Sequence, residues 1–164
     1  MGTAIIAIRS NAVWGLGHIG VAFRNDDSTW TAGSVEGKHY VSNINPGDEN
    51  GGWVEKFTTL RAVEEKFHKL KYDKLKFISV ANPDPAKAEK AISDFCERGF
   101  NFLINNCLHA VDEVVKAYGV KGLPRTFLVS PISYFATISG AEFTWNLTLN
   151  SYLETKITSD DNVI

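Results

Sequence analysis

The sequence predicts an α+β domain in which a central, mostly antiparallel sheet packs against helices, and three observations carry that prediction. Runs with β-branched or alternating apolar character recur at Thr3 to Ile8, His18 to Phe23, Thr29 to Val35 and Glu142 to Tyr152, which is strand patterning. Residues 59–70, 85–98 and 107–118 instead space their apolar side chains three and four apart, as helices do. The Asn25-Asp26-Asp27 turn joins two of the strand runs as a hairpin, so that pair is antiparallel.

Each element has a local reason. Thr3 to Ile8 reads as a buried strand, and Arg9 to Gly17, with Ser, Asn and two Gly around Trp14, as a loop. In His18 to Phe23, Ile19, Val21 and Phe23 face one way and His18, Gly20 and Ala22 the other, a half-buried strand opened by a histidine. The return strand brings Ser34, Val35 or Glu36 near His18. Lys38 to Ile44 is a further strand candidate, and Asn45 to Gly52 is a loop by its Pro, Gly and acidic content. A surface helix over 59–70 turns Leu60, Val63, Phe67 and Leu70 inward and Glu64, Glu65, Lys66 and Lys69 outward. Lys74 to Ala81 is an imperfect strand expected partly at a sheet edge. Asp84 caps a helix with Pro85 at its first position, running to about Arg98 with Ala88, Ala91, Ile92 and Phe95 inward. Pro131 to Ile138 is a short helix, and Glu142 to Tyr152 closes the sheet.

At 164 residues the chain is one domain, 1–164, long enough to bury a core without staples. Hydrophobic residues at 44% and charged residues at 22% are globular proportions. The net charge of -2 and pI near 6.1 provide no basic surplus for phosphate neutralisation, which removes nucleic acid as the default partner. No run approaches the 18 or so apolar residues of a membrane span, so no integral membrane segment is expected. Cys96 and Cys107 form neither a disulfide framework nor a zinc quartet, and His18, His39, His68 and His109 lack metal-ligand spacing; no metal or cofactor is expected. The reading is a soluble, cytoplasmic protein with two free thiols, or a secreted one if Met1-Gly2 stands in place of a removed leader.

The stretch from Asn101 to Val111 delivers Cys107 to the first turn of the helix that ends at Gly119. Asn105 and Asn106 are both competent caps. A thiol at such a helix start is biased toward thiolate by the dipole and the first-turn amides, and those amides suit the oxyanion of a carbonyl under attack. Buried cysteines more often serve as small hydrophobes, so a partner base decides the matter. His18, beside Gly15, Gly17 and Gly20, is the candidate base, Glu36 its candidate orienter, and Ser34 and His39 the fallback orienters. Asn106 and Trp14 are assigned to oxyanion binding and positioning, while Trp30, His39 and Trp53 are weaker candidates for lining a groove.

Gly17-His18-Ile19-Gly20-Val21 on a strand, followed by Asn106-Cys107-Leu108-His109 at a helix start and then Tyr118-Gly119 and Leu123-Pro124, resembles the circularly permuted papain-like superfamily. Its branches include permuted NlpC-type amidases, lecithin:retinol-acyltransferase-like proteins and PPPDE-like peptidases. The resemblance spans roughly residues 13–124 and departs from the named branches at Leu108 and Ala110, which leaves the branch open. It implies a permuted papain-like fold, Cys107 as nucleophile, His18 as base and Glu36 in the region of the optional third residue. The expected activity is a cysteine-dependent hydrolase, an amidase or peptidase working through an acyl-enzyme. Its expected substrate is a peptide, a cell-wall fragment or an acylated small molecule. The alternatives are a non-catalytic ligand- or peptide-binding module on the same fold, and a thiol acyltransferase acting on lipid or ester substrates.

Overall fold

The computed structural model describes residues 1–12, 15–35, 52–97, 106–126 and 129–145, together with the backbone of 43–44 and 100–101. Its centre is β1 (Gly2–Arg9), whose residues 4–8 are all buried. β1 pairs antiparallel with β2 (His18–Arg24), from Ala4 opposite Phe23 to Arg9 opposite His18. On its other side β1 pairs antiparallel with β6 (Lys74–Val80), from Gly2 opposite Val80 to Ile8 opposite Lys74. β3 (Trp30–Ser34) and β5 (Trp53–Phe57) extend one side and β8 (Ala141–Thr144) the other, giving the order β5-β3-β2-β1-β6-β8. A separate two-stranded pairing joins β4 (Asn43–Ile44) to β7 (Phe100–Asn101).

Helices cover both faces of the sheet. On one face Ala4, Ile6 and Ile8 of β1 and Ile19, Val21 and Phe23 of β2 form a single core with residues of α2 (Pro85–Glu97), α3 (Cys107–Tyr118) and α4 (Pro131–Thr137). On the other, Ile5, Ala7, Ala22, Trp30 and Ala32 pack with Val63 and Phe67 of α1 (Leu60–Lys69) and with Tyr72 and Leu75. Each fully buried Ile of β1 contributes about 1.5–3 kcal/mol by leaving water. Because both faces are covered, β2 is buried from His18 to Phe23 rather than half-buried.

Two further expectations change, and one strand appears that none anticipated. β6 is interior, since it pairs with β1 and β8. β5 has no counterpart in the sequence reading, because Glu55 and Lys56 in succession break the alternation; at the sheet edge those charges pair with Lys66 and Glu89. Glu64 is buried at 4% exposure although the helical pattern turns it outward. The start of α1 is capped as its sequence requires, with Thr59 Oγ1 accepting from the Ala62 amide at 3.2 Å. The expected strand residues 38–42, the loop 45–51 and the end of the last strand beyond Trp145 lie outside the described residues.

Burial pushes the Glu64 carboxyl up from 4.5 to about 7; Arg61 opposes the rise and Glu65 adds to it. The folded chain therefore holds this proton more tightly than the unfolded chain. The stability it contributes is complete below about pH 4.5 and is lost as pH rises through about 7, an effect of at most about 3 kcal/mol. Urea unfolding between pH 5 and pH 8 should show this fall, and Glu64→Gln should flatten it. An unchanged pH dependence in the Gln variant would rule out Glu64 as its source.

Candidate active site

The site is built from the two ends of one packing contact. α3 begins because Asn106, in extended conformation, accepts from the Leu108 and His109 amides at 3.0 and 3.1 Å through its side-chain Oδ1. It ends at Gly119, whose φ of 109° is left-handed and where a Cβ would stand 2.6 Å from the Asn82 carbonyl oxygen. The helix runs in the same direction as β2, its end lying at the end of the strand. At its far end the Tyr118 hydroxyl donates to the Arg24 carbonyl at 2.7 Å and the Tyr118 ring lies 5.3 Å from that of Phe23. Following the helix back about 16 Å, and β2 back about 20 Å, brings both to the end of the sheet where His18 begins. There Ala110, in the first turn of α3, packs with Val35 and Phe95. Val35 directly follows Ser34.

His18 is held from several sides. Its Nε2 lies 3.0 Å from Ser34 Oγ, Ser34 Oγ donates to the Ile19 carbonyl at 3.1 Å, and the Tyr72 hydroxyl donates to Ser34 Oγ at 3.0 Å. A serine hydroxyl has one proton. The Ile19 carbonyl and His18 Nε2 both lie within its reach, and donor and acceptor in the Ser34–His18 contact follow the His18 tautomer. His18, Ser34 and Tyr72 are each less than 5% exposed. Strand alternation places His18 and Ser34 on the face that carries Tyr72 and α1, whereas Ile8 and Ile19 pack toward α3. Cys107 belongs to the core on the α3 face.

The loop before His18 is clamped. The Ser10 amide and hydroxyl donate to the two carboxylate oxygens of Asp73 at 2.5 and 2.7 Å. The Gly15 and Gly17 amides both donate to the Ala12 carbonyl, and both glycines have left-handed φ, 85° and 86°. The Ile132 amide at the start of α4 donates to the Leu16 carbonyl at 3.2 Å.

Of the residues expected at the site, the structure brings His18 and Ser34 into contact on one face of the sheet and places Asn106 and Cys107 at the start of α3 on the other. Cys107 is the first residue of α3 and is 7% exposed. Trp14, Glu36 and His39 lie outside the described residues. Trp30 is a core residue beneath α1, which is a packing position and not a groove wall. Trp53 packs 6.0 Å from the Phe67 ring with Lys66 Nζ 4.8 Å over its own. His109 has given its amide to the cap, and its Nδ1 is buried with no hydrogen-bond partner among the described residues. Cys96 packs near Gly52; burial pushes its thiol up to about 11, with Glu97 adding to the effect. Among the described residues no three His, Cys, Asp or Glu side chains are grouped to hold a metal. Tyr72 is the residue that sequence reasoning missed, since nothing in Lys71-Tyr72-Asp73 marks a tyrosine for the site.

Comparison of the chain with protein-family models, with curated proteins and with solved structures gives no match.

Asn106→Ala should lower stability by about 1 kcal/mol, since two first-turn amides lose their acceptor. Urea unfolding reads this directly, and an unchanged midpoint would mean the cap bonds are replaced at no cost.

Proposed function

We propose that the chain is a cysteine-dependent hydrolase of the permuted papain-like kind, an amidase or peptidase that cleaves its substrate through an acyl-enzyme on Cys107. The observation that supports this reading is the parallel passage of α3 along β2, which points the capped cysteine and the Ser34-held histidine toward the same end of the sheet. In this reading two residues 89 positions apart by their numbers come together through packing, not chain neighbourhood.

In this mechanism Cys107 Sγ attacks the carbonyl carbon while its proton passes to His18, and the carbonyl oxygen takes up the negative charge. The Leu108 and His109 amides are committed to Asn106, so the oxyanion is assigned to the Cys107 amide and the positive end of α3. Imidazolium returns the proton to the departing amine as the C–N bond breaks, leaving a thioester on Cys107. Water then adds to the thioester carbonyl, His18 accepting its proton, and collapse expels Cys107 as a thiol once that proton is returned. Ser34 holds His18 at Nε2 throughout, the orienting role that the resemblance gives to a third residue. The products are an acid and an amine, and no cofactor enters.

The test is a panel of fluorogenic peptide amides, N-acyl amino acids and cell-wall peptides, read by turnover and by mass spectrometry of the peptide that contains Cys107. The expected result is an acyl adduct on Cys107 with at least one substrate class. Turnover is abolished in Cys107→Ser and falls about 10²- to 10⁴-fold in His18→Ala, the usual range for a general base. Turnover that survives Cys107→Ser would overturn the proposal.

A further inference from the structure

We infer that Leu16 and Ile132 form an apolar subsite beside Cys107, so that the substrate carries an uncharged apolar chain next to the bond that is cleaved; the inference rests on the function proposed above and deepens it. Apart from Met1, Leu16 is the only large apolar side chain left exposed among the described residues, at 44%. A single exposed leucine is ordinary on a protein surface; this one is set apart by how it is held. The Gly15 and Gly17 amides share the Ala12 carbonyl, and the Leu16 carbonyl receives the Ile132 amide at 3.2 Å. Gly17 lies so close to α4 that a Cβ there would stand 2.8 Å from Ile132 Cγ1 and 3.3 Å from Ile8 Cδ1. Leu16 is therefore presented on a fixed backbone. Next to it Val129, Pro131 and Ile132 are half-buried, so the apolar surface continues onto the start of α4.

That surface stands at the start of α3. α4 begins against Gly17 and Ile8 and ends where a Cβ on Gly140 would meet the Phe77 carbonyl oxygen at 2.5 Å and Ile78 Cγ1 at 3.3 Å. Ile78 pairs with Ala4, so α4 runs from the Ile8 end of β1 toward its Ala4 end, the direction shared by β2 and α3. The Tyr134 hydroxyl donates to Asp112 at 2.9 Å and fixes α4 against the second turn of α3. Ile132, two residues before Tyr134, then stands level with the first turn, which Cys107 opens, one helix spacing of about 8–10 Å away. Cys107 and Ile8 share one core, and Ile132 packs against it.

The polar groups around this surface are already engaged. Pro131 has no amide proton, the Ile132 amide goes to Leu16, the Ser133 amide to Ser130 Oγ at 3.2 Å and the Tyr134 amide to the Ser130 carbonyl at 2.9 Å. Ser130 Oγ donates to Ser133 Oγ at 3.0 Å. The first turn of α4 thus has no spare donor for an anion, and what it and the loop present to a substrate is hydrocarbon.

The experiment uses the full chain and three alkylating probes of one chemistry: iodoacetamide, N-hexyl iodoacetamide and a hexyl-length analogue ending in a carboxylate. Peptide mass mapping reads the rate at Cys107, and separately at Cys96, in the wild type, Leu16→Asp and Leu16→Met. Wild-type Cys107 is expected to react with the hexyl probe about tenfold faster than with iodoacetamide, the worth of roughly two methylenes taken from water. The carboxylate probe is expected to show no such gain, and Cys96 none with either. Leu16→Asp is expected to bring the ratio of hexyl to parent rates close to one while the parent rate holds, and Leu16→Met to keep the gain. A ratio near one in the wild type, or a gain that survives Leu16→Asp, overturns the inference; turnover that requires Cys107 would then leave the proposed function standing. A gain that depends on Leu16, with no Cys107-dependent turnover of any substrate class, supports the apolar subsite and overturns the hydrolase reading. A Cys107 that none of the three probes modifies overturns both.

Discussion

The structure depends on how α3 lies along β2. One face of the helix is buried almost throughout, with Leu108, Val111, Val114, Val115 and Tyr118 all in the core shared with β1 and β2. Such a surface would tolerate several sliding positions on a flat apolar sheet. What fixes one of them is the Tyr118 hydroxyl on the Arg24 carbonyl, together with Gly2, where a Cβ would come within 2.5 Å of that hydroxyl. A side chain at Gly2 or a phenylalanine at Tyr118 removes the stop. The position of Cys107 at the other end of the helix is then a consequence of helix length, and the site inherits its geometry from a contact more than ten residues away.

Burial on both faces makes the polar groups inside the sheet demanding. An unpartnered buried hydroxyl or imidazole costs about 1–3 kcal/mol, so His18, Ser34 and Tyr72 stabilise the fold only as a connected set. Elsewhere the protein applies the same rule. Lys76, 4% exposed, donates to the Phe135 carbonyl, lies 4.5 Å over the Phe135 ring and has Glu142 at 3.6 Å. Asp112 accepts from the Tyr134 hydroxyl at 2.9 Å and pairs with Lys116, while burial, with Asp112 adding to it, drives the Tyr134 phenol far above its ordinary range. These clusters bind the helices to each other and to β6. The His18 cluster differs in containing a histidine held by a serine.

Much of this was legible in the sequence, for identifiable reasons. Strands β1 to β3 and helices α1 to α4 follow from periodicity and from caps such as Thr59, Asn106 and Gly119, because local spacing and cap chemistry decide them. The approach of Ser34 to His18 followed from hairpin arithmetic, since the turn at 25–28 sets the register. The outward placement of Glu64 failed because a helical pattern cannot show that a sheet face and neighbouring chain close over one more position. β5 was invisible because a charged edge strand lacks the alternation of a half-buried one. Tyr72 was invisible for a deeper reason. Its partners lie on β1, β2 and β3, and no local pattern records a contact made across three strands.

The central claim is that the cysteine at the start of α3 and the histidine at the start of β2 act as one unit. The most direct test is the thiolate absorbance of Cys107 titrated against pH in a Cys96→Ala background, with and without His18→Ala. The account predicts a thiolate that forms below the ordinary cysteine value of about 8.5 and whose titration moves when the histidine is removed. A titration at or above that value, identical in the two proteins, would contradict it.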